Sequence, residues 1–148
     1  MRAVIQRVSH ARVSIDGQEH GCIGLGFVIL LGVGHGDTED DARKLWGKIS
    51  KMRIFEDESG KTNLPLANVA GSVMVVSQFT LYADCKKGNR PSFAGAMPPA
   101  EAKRLYEFFL ELARADVEDV ACGMFGAMMD IDLVNNGPFT IVLDTNEL

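Results

Sequence analysis

Residues 2–9 alternate, with Val4 and Val8 among polar neighbours, and this period of two predicts a strand. Residues 11–15 predict a second strand. Asp16-Gly17 then predicts a tight hairpin into a third over 18–23. Residues 27–33 are apolar almost throughout, the pattern of a central strand covered on both faces, and Gly34-His35-Gly36 ends it. The period then changes. Ala42, Leu45, Trp46, Ile49 and Met52 recur at helical spacing. Thr38 with Asp41 three residues on supplies a cap, and the acids suit the positive end of the helix dipole. Trp46 lies on the apolar face and reads as core.

Further on, Asp57 to Lys61 predicts a turn and residues 64–72 a loop. Residues 73–84 predict a buried strand that turns polar where Ser77, Gln78 and Thr80 cluster. Pro98-Pro99 opens a second helix, with Leu105, Phe108, Phe109 and Leu112 on its buried face. Residues 117–122, 128–134 and 139–143 predict the last strands. The elements add up to one α+β domain over residues 1–148. Seven or eight mostly antiparallel strands form a curled, barrel-like sheet with two helices.

Composition narrows the function classes. Of 148 residues, 47% are hydrophobic and 24% charged, ordinary for a globular protein with its own core. The longest apolar run, residues 27–31, is too short to span a bilayer, and the start lacks the apolar core of a signal peptide. A cytoplasmic protein without membrane contact is expected. Net charge is −5, against broad wrapping of nucleic acid but not against gripping one RNA end. The compact basic loop, Lys86-Lys87-Gly88-Asn89-Arg90, directly follows the Ser77–Thr80 cluster, where it reads either as a solvated turn or as a phosphate contact. Cys22, Cys85 and Cys122 have neither disulfide nor zinc spacing, and no His, Asp and Glu pattern suggests a metal. No metal or cofactor is expected. Cys85 leaves open a small cysteine hydrolase, and the acidic charge an RNA-end or metabolite-binding module without catalysis.

Between the two final strands stands Asn135-Asn136-Gly137-Pro138. Proline gives no N–H to a ladder and glycine weakens a strand interior. One reading is a plain Asn-Gly hairpin turn. The other is a rigid break whose free carbonyls can recognise a cation.

The run Ser77 to Asp84 together with residues 135–140 resembles the D-aminoacyl-tRNA deacylases. So do residues 1–8, 53–57, 90–93 and 126–129, in register over the whole chain. The resemblance implies hydrolysis of the ester between a D-amino acid, or glycine, and the terminal adenosine of tRNA. It implies a homodimer in which Gly137-Pro138, held cis, enters the partner's pocket. There its carbonyls take the substrate ammonium and turn away L side chains. Ser77, Gln78, Phe79 and Thr80 match the catalytic signature: Gln78 for ribose or ester, and the Phe79 and Thr80 N–H groups as oxyanion donors. Thr80 is the tempting nucleophile, but with no base beside it, water helped by the substrate's 2′-hydroxyl is the better agent. Phe125 and Met129 match the adenine pocket, with core packing as the other reading. Arg7 matches a position that fixes the carbonyls of the turn, with a solvated strand arginine as the other reading. Asn136 and Phe139 depart from the family's usual Asp and Val.

Overall fold

One strand organises the sheet. In the computed structural model, which describes residues 1–148, β1 runs unbroken over Arg2–Ile15. The two strands expected here are one because the alternation slips phase without ending. Arg7 and Val8 are both buried, and Ser9 and His10 are both exposed. Along one side, β1 pairs antiparallel with β3 (Gly26–Gly32) over its first half and with β2 (Gln18–Ile23) over its second. Along the other side it pairs with β8 (Asp130–Asp144) over nearly its whole length.

Beyond β3 the sheet turns parallel. β6 (Ser72–Ser77) pairs with β3, and β7 (Val120–Cys122) pairs with β6. Parallel neighbours need crossovers, and these carry the two helices, α1 (Glu39–Ile49) and α2 (Pro99–Asp116). A two-strand ribbon, β4 (Phe55–Glu56) and β5 (Thr62–Leu64), flanks the turn read at residues 57–61. The sheet curls until β2 nears β7: a Cβ on Gly21 would stand 3.3 Å from Ala121 Cβ. The result is the expected α+β domain with two helices and a nearly closed, barrel-like sheet.

Both helices start as their residues dictate. Thr38 and Asp41 form a reciprocal capping box on α1. Such caps contribute about 1 kcal/mol. Pro99 occupies the first turn of α2. Ala42, Leu45, Trp46 and Ile49 face Leu105, Phe109 and the sheet. Trp46 meets Phe109 edge-on with ring centres 5.7 Å apart, and its Nε1 donates to Asp116 at 2.8 Å. The buried stripe of α2 runs Ala102, Leu105, Tyr106, Phe109, Leu110 and Ala113, while Phe108 and Leu112 lie at its margin. A second cluster, with Val8, Val13, Val28, Met74 and Val76, fills the inside of the curl.

Two expectations change. The strand read over residues 73–84 stops at Ser77, and Phe79–Tyr82 is a 3-10 turn. The two strands read around Gly137-Pro138 are one, because both halves of β8 pair with β1 in the same direction. The Asn-Gly step is therefore not a hairpin turn.

Candidate active site

Two irregular pieces of backbone fall at the positions the resemblance singles out. The first ends β6. Gln78 N–H donates to Leu31 O at 2.8 Å, the last ladder bond before the chain turns. Leu81 N–H then donates to Gln78 O (3.2 Å) and Ala83 N–H to Thr80 O (3.0 Å). A 3-10 turn leaves its first N–H groups without an acceptor inside it. Here those are the N–H groups of Phe79 and Thr80. The Gln78 amide Nε2 donates to Thr80 Oγ1. Neither end of an amide is a base, so this contact cannot take the Thr80 proton. The Phe79 ring is 58% exposed and meets Phe93 edge-on at 5.0 Å between centres.

The turn is braced from behind. Arg2 Nη1 donates to Leu81 O at 3.1 Å, its guanidinium lies 4.6 Å over the Tyr82 ring, and its Nε bonds Asp144 at 2.8 Å. The Tyr82 hydroxyl donates to Asp37 Oδ2 at 3.2 Å. Gly34 allows this approach, since a Cβ there would come within 2.4 Å of the ring. Burial, then the Asp37 carboxylate, pushes the Tyr82 hydroxyl well above the usual tyrosine range. Burial also pushes the Asp144 carboxyl up, but the bonds from Arg2 and Asn146 outweigh it and hold the group below the usual carboxylate range.

Phe125 and Met129 pack on residues that bond or touch β6. Phe125 is half-buried, 5.8 Å from the Tyr106 ring, whose hydroxyl donates to Val75 O at 2.9 Å. Met129 Sδ lies over Gly123, where a Cβ would approach it to 2.6 Å. Ser77, Gln78, Phe79 and Thr80 thus form the strand end, while Phe125 and Met129 connect to β6 near Val75 and Val76 through Tyr106 and Gly123. The loop of Cys85, Lys86, Lys87 and Arg90 leaves the same turn, closed by paired Asp84 and Ser92 backbone bonds of 2.7 and 2.9 Å. It is exposed, and no side chain bonds the Cys85 thiol. A cavity of about 600 Å³ lined by Ser50, Leu66, Ala70, Asp116 and Asp119 holds none of these residues.

The second piece is a bulge in β8. Gln6 faces Thr140 and Val8 faces Asn135, so residues 136–139 loop out opposite Arg7 alone. The Gly137-Pro138 peptide is cis, and Gly137 has φ +124. Arg7 is 4% exposed, so it is no solvated strand arginine. Its Nε donates to Asn136 O at 3.0 Å, its Nη1 donates to Ile54 O, and its guanidinium stacks 4.3 Å from the Phe139 ring. A Cβ on Gly137 would meet Phe139 Cδ2 at 2.6 Å and Arg7 Nη2 at 2.8 Å. The large Phe139 thus becomes a wall of the arginine site. Asn136 O and Phe139 O accept from side chains, while Gly137 O and Pro138 O receive none.

The register keeps these pieces apart. Arg7 pairs with Phe27 and Phe27 with Val73, four residues before Ser77 on β6. Four residues along a strand span about 13 Å, and three strand spacings from β8 to β6 span about 14 Å. Along the sheet, the bulge carbonyls and the turn N–H groups are therefore roughly 20 Å apart within one chain.

The model of the D-Tyr-tRNA(Tyr) deacylase family matches residues 4–144. The chain belongs to that family. It is 52% identical to a D-aminoacyl-tRNA deacylase of Thermus aquaticus, covering 99% of this chain and 97% of the relative. A D-aminoacyl-tRNA deacylase of Geobacter sulfurreducens is 54% identical over 98% of this chain and 95% of its own. Among solved structures, a c-Myc DNA Unwinding Element Binding Protein superposes with a TM-score of 0.92 at 40% identity, covering 97% of this chain and 98% of that one. No helix is long and apolar enough to cross a membrane.

The resemblance noted in the sequence is thus to the right family. Sequence reasoning missed Asn135, Asp37, Tyr82 and Arg2. Asn135 had a signal, an amide directly before the Asn-Gly-Pro break. The other three are joined only by the fold.

Proposed function

We propose that this protein hydrolyses the ester joining a D-amino acid, or glycine, to the terminal adenosine of tRNA, at a site completed by a second copy of the chain. What supports the reading is the opposite polarity of the two irregular pieces. The turn offers N–H groups, which suit the oxyanion formed when water attacks an ester. The bulge offers carbonyls, which suit an α-ammonium. An ester carbonyl and its α-ammonium are a few ångströms apart, whereas these two pieces lie three strands apart and roughly 20 Å along the sheet of one chain. A two-fold pair would place one copy's bulge over the other's turn. The free outer edge of β8, with exposed Val134 and Val142, gives such a pair a surface.

The chemistry then follows from position. Gly137 and Pro138 carbonyls hold the ammonium, each such bond contributing about 1.5–3 kcal/mol. Phe79 and Thr80 N–H groups hold the carbonyl oxygen. With these and the α-hydrogen fixed, an L side chain projects into backbone and a D side chain points to solvent. Glycine, with no side chain, is accepted. Phe125 and Met129 take the adenine face. Lys86, Lys87 and Arg90 meet acceptor-end phosphates. Water attacks, helped by the substrate's 2′-hydroxyl, and Thr80 contributes its N–H rather than a nucleophile. The tRNA pool places this work in the cytoplasm.

The decisive assay is release of tyrosine from D-Tyr-tRNA and L-Tyr-tRNA. Selective release of D-tyrosine is expected, and binding without turnover would overturn the catalytic reading. Mixing a Phe79→Pro chain with a Gly137→Ala chain tests the shared site. Each mixed dimer then keeps one intact donor–acceptor pair, so activity should return to about a quarter of wild type, the outcome of random pairing. No recovery, with mixed dimers demonstrated, would place the whole site within one chain.

A further inference from the structure

Asn135 is the side chain of the bulge that has no role so far. Its Nδ2 lies 2.8 Å from Phe139 O and 3.1 Å from Arg7 O. Carbonyls only accept, so the near atom must be the NH2 group and not the amide oxygen. Its Oδ1 faces Thr140 Oγ1 at 3.5 Å, and Thr140 Oγ1 accepts from Gln6 Nε2 at 3.3 Å. The amide is thereby oriented from both ends.

This placement answers a definite deficit. In a regular ladder, backbone donors of β8 would serve the carbonyls facing it. The bulge takes residues 136–139 out of register opposite Arg7, and proline has no N–H to offer. Arg7 O and Phe139 O stand at the two edges of this break, and one NH2 group serves both.

We propose that Asn135 is a positioning residue for substrate handedness: its NH2 replaces the lost ladder donors and aims the Gly137 and Pro138 carbonyls outward. Arg7 holds the carbonyl before them, that of Asn136, and Asn135 holds the one after them, that of Phe139. With both flanks tied, the two middle carbonyls keep one direction. Asn135 touches no reacting atom, so its influence is on discrimination and ammonium binding rather than on the chemical step. The inference rests on the reading of the bulge as the ammonium site.

The experiment compares kcat/KM for L- and D-tyrosyl-tRNA in Asn135→Asp and Asn135→Ala, with Gly137→Ala alongside. Asn135→Asp keeps the shape but turns an oxygen toward the two carbonyls. The L/D ratio should rise about tenfold or more, the worth of one or two hydrogen bonds. KM for the D substrate should rise while kcat moves little. A merely structural role would lower D and L activity together and leave the ratio unchanged, and that result in a folded variant overturns the inference. If Gly137→Ala also leaves the ratio unchanged, the ammonium-site reading itself fails. If Gly137→Ala moves it and the Asn135 variants do not, only the role of Asn135 fails. Should neither Asn135 variant fold, exposed and near-isosteric Thr140→Val decides. A raised ratio supports the inference, and an unchanged one overturns it.

Discussion

The turn at Phe79–Tyr82 and the bulge at residues 136–139 both interrupt a ladder, yet they present opposite ends of the peptide group. The turn frees N–H groups because a tight helix begins there. The bulge frees carbonyls because its neighbours bind side-chain donors. They are also held differently. The turn is braced from a distance by Arg2 and Asp37, which bond Leu81 O and the Tyr82 hydroxyl at its far end. The bulge is gripped from within by Arg7 and Asn135, each bonded to a residue of the loop itself. The difference teaches where sensitivity should lie. In the proposed function the working groups of both regions are main chain. Substitutions that reach the main chain should therefore outweigh any loss of an exposed side chain.

Phe79→Pro should break the comparison hardest. Proline removes the N–H at the first position of the turn, where its fixed φ is otherwise tolerated. Loss of one oxyanion donor costs about 10²–10³ in kcat. Phe79→Leu, which keeps the N–H, should stay within about tenfold of wild type. Single-turnover deacylation of D-Tyr-tRNA by the two variants checks both. Equal activities would remove the turn from the chemistry. Gly137→Ala comes next. Its Cβ would meet Arg7 Nη2 at 2.8 Å, and φ +124 suits no L side chain. A rise in KM for the D substrate of about tenfold to a hundredfold is expected, the worth of one charged hydrogen bond. An unchanged KM would clear the bulge of ammonium binding.

How much of this the sequence disclosed depends on whether the signal was local. The capping box of Thr38 and Asp41 is a contact within one turn, and it was legible. So was the hairpin at Asp16-Gly17, whose φ values of 52 and 76 are those such a dipeptide favours. The unity of β8 was not legible. Alternation on either side of Gly137-Pro138 says that two segments are extended, but not that both lie against β1. Phe79, Leu81 and Tyr82 look like more of the strand before them, and only Leu31 and the turn bonds show where it stops. Arg7 could be matched to the break by resemblance, but its grip on Ile54 O needs the ribbon at 55–64 to be folded. Asn135 was visible as a residue, while its partners, 128 positions away and four, were not.

The bracing itself gives two intermediate predictions. Arg7→Lys keeps charge but not the planar fork that reaches Asn136 O and Ile54 O. Leaving such buried acceptors unpaired costs about 1–3 kcal/mol, which urea denaturation should register. An unchanged midpoint would mean the grip is dispensable. For the turn, pH supplies the probe. The hydroxyls of Tyr82 and Tyr106 are both pushed up, by burial first. A group held protonated in the fold contributes fully below its unfolded value, 10.0 for tyrosine, and loses that contribution as pH rises beyond it. Stability should therefore decline above about pH 10, and Tyr82→Phe should make the decline shallower. An identical decline in Tyr82→Phe would show that neither burial nor Asp37 holds its hydroxyl protonated.

The smallest effect should come from the residue that most resembles a nucleophile. Thr80 has its hydroxyl engaged by the Gln78 amide, which can donate or accept but cannot carry off a proton at neutral pH. None of the three histidines hydrogen-bonds it: His10 contacts Ser9, and His20 and His35 make no side-chain bond. An unactivated alcohol gains little over water as a nucleophile. Thr80→Ala keeps the N–H that the turn leaves free and discards only the hydroxyl. It should retain activity within about tenfold of wild type, since one neutral hydrogen bond is at stake. A fall near a thousandfold in a folded Thr80→Ala protein would make the side chain the working group. The turn would then differ from the bulge in kind, chemistry on one side and recognition on the other, rather than only in the polarity of its backbone.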